Sequence, residues 1–357
     1  MNGQQGVAFA WEGLPFYAAR LLRRVIEERD IAILGTSGPQ KREEILQTVG
    51  QEVTWLDGSR NATWQNLGLQ VPQWFFVSGW SNPQLNRLAR EARNAGAQII
   101  VMADNSRKHN LRQAVGSIIS RMKWKSKFDY VLVPGASGRD LMRFFGVPDH
   151  QICSGLYGAD PHLFAAGPPI PARERDFLFV GQFVERKGLR ELIESVAALR
   201  RGGVDFTLAA MGAGPLEGAL RAAGIIVLPF GDASYVAQEM RKSKFLVLPS
   251  LEDNWGVVVH EAVCSGCGLI LSDGVGAALD LLAGDNGLLC RRSDSKSLTR
   301  AMTAMLQMTQ EEQVKCGNAS LKIAPSFGPD RFAATVSDIL ESGVSRDRAQ
   351  PSFTTQF

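Results

Sequence analysis

The sequence predicts an α/β protein built from two Rossmann-like, doubly wound parallel-sheet domains that face a central cleft. Three observations carry this. Short apolar, β-branched runs alternate with helical stretches along the whole chain, the pattern of strand–helix–strand units. Several runs are apolar at every position instead of every second one, as in strands covered on both faces. The alternation breaks once, over a Pro-, Ala- and Gly-rich stretch at 160–171, and restarts at Asp176, which marks an interdomain linker.

Strands are expected over 7–11, 31–35, 74–78, 97–103, 130–133, 177–181, 206–211, 225–228, 245–248 and 269–272. Helices are expected over 15–29, 83–95, 111–123, 138–145, 188–201, 235–242, 257–265, 297–308 and 330–340. The first domain then spans 1–160, the linker 161–175 and the second domain 176–325, with a polar, flexible tail over 342–357. In such sheets ligands sit at the carboxyl ends of the strands.

Composition excludes several classes. With 357 residues, 45% hydrophobic and 21% charged, the chain is neither disordered nor fibrous. No apolar run approaches the roughly 18 residues of a membrane span. A net charge of +3 does not by itself point to nucleic acid. The start, Met-Asn-Gly-Gln-Gln-Gly, has no basic region and does not read as a secretory signal. Five scattered cysteines are no disulfide framework and fit a reducing cytosol. Cys264-Ser-Gly-Cys267 has C-x-x-C spacing, but no second pair or nearby His completes a zinc site, so it reads as packing.

The richest segment is Phe245-Leu-Val-Leu-Pro-Ser-Leu-Glu-Asp-Asn-Trp-Gly-Val-Val-Val-His-Glu-Ala262. A buried strand ends at Pro249-Ser250, a polar loop follows, and an apolar helix opens at Gly256. The first turn of that helix offers free backbone N–H groups and a positive dipole end, an anion site. Gly256 admits close approach of a ligand to the backbone. Asp253 and Glu261 are separated by seven residues.

An acid, seven residues, then Glu, after Pro-Ser and before Ala-x-x-x-Gly, resembles the signature of the retaining GT-B glycosyltransferases of family 4 (group 1), notably those acting on capsular and lipopolysaccharide glycans. The matching positions are Asp253, Trp255-Gly256, Glu261-Ala262 and Gly266. The resemblance implies that Asp253 binds donor-sugar hydroxyls and that Glu261 holds the ribose. It implies that loop amides around Asn254, Trp255, Gly256 and Val257 hold sugar and diphosphate. The family's first acid is usually Glu; here it is Asp, preceded by Glu252.

Val180-Gly181-Gln182-Phe-Val-Glu-Arg186-Lys187-Gly188 resembles the loop in which the family's Arg and Lys clamp the diphosphate. Lys187 fits, and cations there oppose the charge that grows on the leaving group. Gln182 stands where Arg is usual, with Arg186 close by. Met211-Gly212-Ala-Gly214-Pro resembles the family's turn beside the nucleotide base, and its glycine spacing fails as a dinucleotide fingerprint. Ser272-Asp-Gly-Val-Gly-Ala continues the pattern and is expected to pack. Phe327-Gly-Pro-Asp-Arg-Phe resembles the family's closing helix, which would return over 326–341 to the first domain.

The first domain would be the acceptor side. Glu12 and Gly13 follow its first strand, matching the family's first loop near acceptor and phosphate. Asp104 falls at a strand's carboxyl end, where the family often places an acid or a His; a loop role and a functional one are equally open there, and His109 lies past the strand tip. Arg107, Lys108, Arg112, Arg121, Lys123, Lys125 and Lys127, with Trp124 among them, form a solvated helix face or a dock for anionic lipid.

The implied protein is a cytoplasmic, retaining glycosyltransferase, peripheral at the inner face of the plasma membrane. It would move a sugar from a nucleotide-diphosphate sugar to a hydroxyl of a lipid-linked or oligosaccharide acceptor in surface polysaccharide biosynthesis. Its candidate catalytic residues are Asp253, Glu261, Lys187 and Asp104. The chain has no D-x-D, which agrees with a metal-independent reaction without a cofactor. The alternatives are a nucleotide-sugar 2-epimerase of the same fold, or a degenerate, non-catalytic nucleotide-sugar-binding protein.

Overall fold

The computed structural model describes residues 6–36, 42–56, 62–106 and 128–342. Two parallel sheets are present. The first contains β1 (Val7–Trp11), β2 (Ile31–Thr36), β3 (Thr54–Leu56), β4 (Trp74–Ser78), β5 (Gln98–Met102), β6 (Tyr130–Val133) and β7 (Ile152–Ser154). The second contains β8 (Arg175–Val180), β9 (Leu208–Met211), β10 (Ile226–Leu228), β11 (Ser243–Leu248), β12 (Gly268–Ser272) and β13 (Gly287–Cys290). Their orders, β3-β2-β1-β4-β5-β6-β7 and β10-β9-β8-β11-β12-β13, follow one doubly wound plan. Helices on both faces explain the unbroken apolar strands: β1 and β12 are buried at every position.

In each sheet the winding reverses beside its first strand, between β1 and β4 and between β8 and β11. Chain connections leave in opposite directions there and open a crevice at the carboxyl ends of the strands.

Three strands escaped the sequence reading: β3, β7 and β13. Each is three or four residues long and lies at a sheet edge, too short to show a pattern. Helices Arg42–Val49, Glu217–Ala222 and Gln310–Ile323 were also missed. The last is mostly polar, yet Thr309 and Glu312 form a reciprocal capping box at its start, a signal legible as Thr-x-x-Glu. The helix expected over 111–123, the basic stretch 107–127 with His109, and the tail beyond Ser342 lie outside the described residues. Among the described residues no helix is long and apolar enough to cross a membrane.

The chain passes between the sheets twice. On the first passage the linker is tied to the second domain by buried Arg173, whose guanidinium donates to the carbonyls of Pro168, Ser243 and Ser265 at 2.7–2.8 Å. Its Nη1 also lies 3.2 Å from the Cys267 thiol, so the C-x-x-C pair is part of the packing. After the second passage, helix Pro329–Ser342 lies on the first domain. Phe332 packs on Phe9 and Trp11, and Arg29 donates to Ser337 at 2.7 Å.

One imidazole holds both passages. His260 is fully buried; its Nδ1 accepts from the Ala159 N–H and its Nε2–H donates to the Ala324 carbonyl, each at 2.8 Å. That pairing fixes a neutral tautomer, and burial lowers the imidazole pKa to about 4. The passages touch backbone to backbone: a Cβ on Gly158 would lie 2.1 Å from the Gly328 nitrogen.

Candidate functional site

The site grows out of the second sheet's reversal point. β8 ends at Val180, and the loop Gly181–Val184 leads into a single 3₁₀ turn, Glu185–Lys187. Gly188 follows with φ of +68°, and a Cβ there would lie 1.9 Å from the Pro249 carbonyl oxygen. Glycine is therefore required twice over, by backbone conformation and by space. This contact presses the Lys187 turn onto the end of β11. The glycine-rich turn after β9 supports it from the other side. A Cβ on Gly212 would lie 1.9 Å from the Gly181 oxygen, and one on Gly214 would lie 2.6 Å from the Phe183 oxygen.

From β11 the chain runs through Leu251–Trp255 to helix Val257–Cys264. Segment 253–255 is held like an extra strand. The Asp253 N–H donates to the Gly274 carbonyl, and the Gly276 and Ala277 N–H groups donate to Asp253 and Trp255 carbonyls, at 2.8–3.0 Å. Gly256 sits at the helix start with φ of +91°, and no side chain caps the helix. The Val259 N–H donates back to the Gly256 carbonyl at 2.9 Å, which leaves the Val257 and Val258 N–H groups of the first turn to an anion.

Lys187 and Asp253 meet here, the Nζ donating to Oδ2, with side chains only 11% and 13% exposed. A buried cation and carboxylate neutralise each other, and removing either leaves an uncompensated charge. Glu261 lies on the same helix, part-buried. Burial pushes its carboxyl up to about 7, while Arg20, on helix Phe16–Ile26 of the first domain, pulls it down. Glu252 is exposed. Exposed Arg186 donates from Nη2 to the Gln182 side-chain oxygen at 2.9 Å, so these two act as a pair at the rim.

Trp255 differs from a simple ligand contact. Its indole is 1% exposed, lies against Phe327 and Tyr157, and donates its N–H to Asp280 at 3.0 Å. The backbone is what this position offers a ligand. Asn254 accepts from Ser106 and Ser137 of the first domain. Val257 is part-buried in the first helical turn.

Across the cleft, Glu12 and Gly13 follow β1. The Glu12 N–H donates to Ser78 at 2.7 Å and the Gly13 N–H to Thr36 at 3.2 Å. Asp104 lies two residues past β5, part-buried. The Tyr157 hydroxyl faces Asp104 and Tyr17, and burial raises both phenols, so they stay protonated. The rings of Tyr17 and Tyr157 meet edge to face at 5.1 Å. The sequence reading passed over Tyr17, Tyr157 and Asp280. Tyr157 lies in Ser154-Gly-Leu-Tyr-Gly-Ala-Asp160, where the Gly-Leu-Tyr-Gly run hints at a fixed aromatic but not at its neighbours. Among the described residues no cluster of His, Cys, Asp and Glu suits a metal ion.

The architecture is GT-B. Two structures illustrate it: HepE of Anabaena in complex with UDP and glucose (TM-score 0.74, 14% identity, 95% of this chain and 100% of that one) and the lipopolysaccharide outer core galactosyltransferase WaaB (TM-score 0.68, 15% identity, 95% and 99%). At such identities the likeness concerns the fold. Residues 174–308 match the family glycosyl transferases group 1. The second domain is thus similar to group 1 glycosyltransferases, and the resemblance read from the motifs is borne out over the domain that holds Lys187, Asp253 and Glu261. Phosphatidyl-myo-inositol mannosyltransferase of Mycolicibacterium smegmatis is 26% identical over 250 residues, 66% of this chain and 61% of that protein. The chain spans 45–61% of the length of the curated relatives it matches.

Proposed function

We propose that this protein is a glycosyltransferase that moves a sugar from a nucleotide-diphosphate sugar to a hydroxyl of a glycan or lipid-linked acceptor, with retention of configuration. The observation that carries the reading is the Lys187–Asp253 pair beside the uncapped start of helix Val257–Cys264, with Glu261 on the same helix. This grouping sits where the winding of the second sheet reverses. A donor brings the groups that would split the pair. Its diphosphate takes Lys187 and the helix amides, its sugar hydroxyls take Asp253, and its ribose takes Glu261. Charge growing on the leaving diphosphate then meets a cation and oriented N–H groups already in place. Gln182 and Arg186 would complete the phosphate edge, with Gly181, Gly212 and Gly214 letting the nucleotide approach the backbone.

On the acceptor side, Asp104 with Glu12 and Gly13 would orient the attacking hydroxyl. The diphosphate itself would take the proton on the same face, so catalysis rests on positioning and electrostatics. Lys187 and the helix start supply positive charge, and transfer should persist in EDTA. HepE was crystallised with UDP, and WaaB is named for lipopolysaccharide. The first supports a UDP-sugar donor and the second a role in surface glycan or glycolipid synthesis. The basic stretch 107–127 is the segment suited to anionic lipid, and salt-sensitive liposome pelleting tests it.

Thermal shift and calorimetry with UDP-, GDP- and ADP-sugars, followed by product analysis, test the whole reading. Stabilisation by one donor class, with nucleotide released into transfer or hydrolysis, is expected. Release of nucleotide with an epimerised free sugar would favour the epimerase, and binding without turnover a non-catalytic protein. Stabilisation by none refutes the proposal.

A further inference from the structure

One part-buried carboxylate at the cleft plays no part in the donor reading. Asp280 belongs to the second domain, on the short helix Ala278–Leu281. Its Oδ1 accepts from the backbone N–H of Ala136 in the first domain at 3.0 Å, and its Oδ2 from the Trp255 indole N–H at 3.0 Å. Ala136 opens helix Ala136–Phe144, whose preceding residue, Gly135, has no side chain to cap it. The carboxylate of one domain thus caps a helix of the other, where the positive end of the dipole favours a negative charge.

The fit admits no slack. A Cβ on Gly135 would lie 2.0 Å from Asp280 Oδ2, and one on Gly276 would lie 2.0 Å from the Asn254 carbonyl oxygen and 2.7 Å from Ser137 Oγ. Two further interdomain bonds fall on the adjacent residue, Ser137 Oγ to the Asn254 carbonyl and Ser106 Oγ to Asn254 Oδ1, each at 3.3 Å. These contacts all converge on Asn254, Trp255 and Asp280.

We propose that Asp280 is a positioning residue that couples closure of the two domains to the conformation of loop 253–256. One carboxylate serves a partner from each domain, so it satisfies both only when the domains are closed. On opening, the Ala136 N–H leaves and the indole loses the geometry that fixes Trp255. Asn254 and Gly256, the residues flanking it, then lose their setting at the mouth of helix Val257–Cys264. A donor that orders this loop therefore favours closure, and closure favours the ordered loop, a reciprocal coupling. The catalytic consequence rests on the proposed transferase activity; the structural one does not.

Asp280→Asn and Gly135→Ala perturb this contact from opposite domains of the 357-residue chain. Small-angle scattering of the unliganded protein should show a larger radius of gyration for both. With the donor identified by the panel above, kcat should fall about fivefold or more. Calorimetric affinity for UDP should change less than kcat, because UDP would bind the second domain. Circular dichroism confirms that each variant is folded at the assay temperature. Wild-type scattering and wild-type kcat in both folded variants would overturn the proposal. So would losses that merely follow a reduced folded fraction. If wild-type protein binds no UDP, the donor reading fails, and scattering alone still decides the role of Asp280.

Discussion

Glu261 should make donor binding depend on pH in a direction and size that follow from its burial. Its carboxyl titrates at about 7 in the unliganded protein. A carboxylate accepts hydrogen bonds from both ribose hydroxyls, whereas the protonated acid must spend one oxygen on its own proton. Binding therefore selects the ionised form. About one-tenth of the molecules are ionised at pH 6 and about nine-tenths at pH 8, so affinity for the nucleotide should rise about ninefold between them. That is roughly 1.3 kcal/mol. Calorimetry at both pH values, in buffers of different ionisation enthalpy, should also show a proton released on binding below pH 7. Glu261→Gln removes the slope and the proton. Equal affinity at pH 6 and pH 8 in the wild type, with no proton release, would refute the ribose role. Stability gives a second sign. The folded pKa is raised, so the folded state holds the proton more tightly than the unfolded chain. Stability then declines as pH rises from about 4.5 to about 7, by up to about 3 kcal/mol, and Glu261→Gln should lack that decline.

The remaining expectations concern the pair, the buried His260 and the turn. Lys187→Met should abolish measurable transfer and leave Asp253 buried alone, costing about 3 kcal/mol of stability; Lys187→Met combined with Asp253→Asn should recover part of the stability but none of the activity, as urea unfolding and a nucleotide-release assay would show. His260→Leu strands the Ala159 N–H and the Ala324 carbonyl and should cost about 2–4 kcal/mol by urea unfolding, although neither group belongs to the nucleotide site. Because the folded pKa of His260 is depressed to about 4, its contribution is complete above about pH 6.5 and fades as pH falls toward 4, so the leucine variant should lose less stability on acidification. Gly188→Ala meets both a left-handed backbone and the Pro249 oxygen, and should reduce soluble yield or lower the melting temperature by several degrees.

Much of the molecule was legible in the chain because its signals are local. A parallel strand buried on both faces is apolar through its middle, as β1 is throughout and β4, β11 and β12 are apart from polar residues at their ends. The loop after β11 was readable because acid, glycine and helix start lie within a few residues of one another. What escaped depends on distant neighbours. Asp280 is one acid in a helix expected to pack, until Ala136, 144 residues earlier, is found on its carboxylate. His260 adjoins a candidate site residue, yet its partners are 101 residues before it and 64 after it, and they make it the tie between the two passages. Trp255 matched a motif, and only the tertiary structure shows its indole buried against Tyr157 and Phe327 with its N–H on Asp280.

The sequence by itself determined the fold class and the group 1 resemblance of the second domain, since hydrophobic period, turn chemistry and motif spacing are properties of contiguous residues. The tertiary structure alone decided which charges neutralise each other, that Glu261 titrates near neutrality, and that Asp280 and His260 join the two domains. These properties depend on burial and on pairs brought together by the two passages between sheets, and no contiguous stretch of chain contains them.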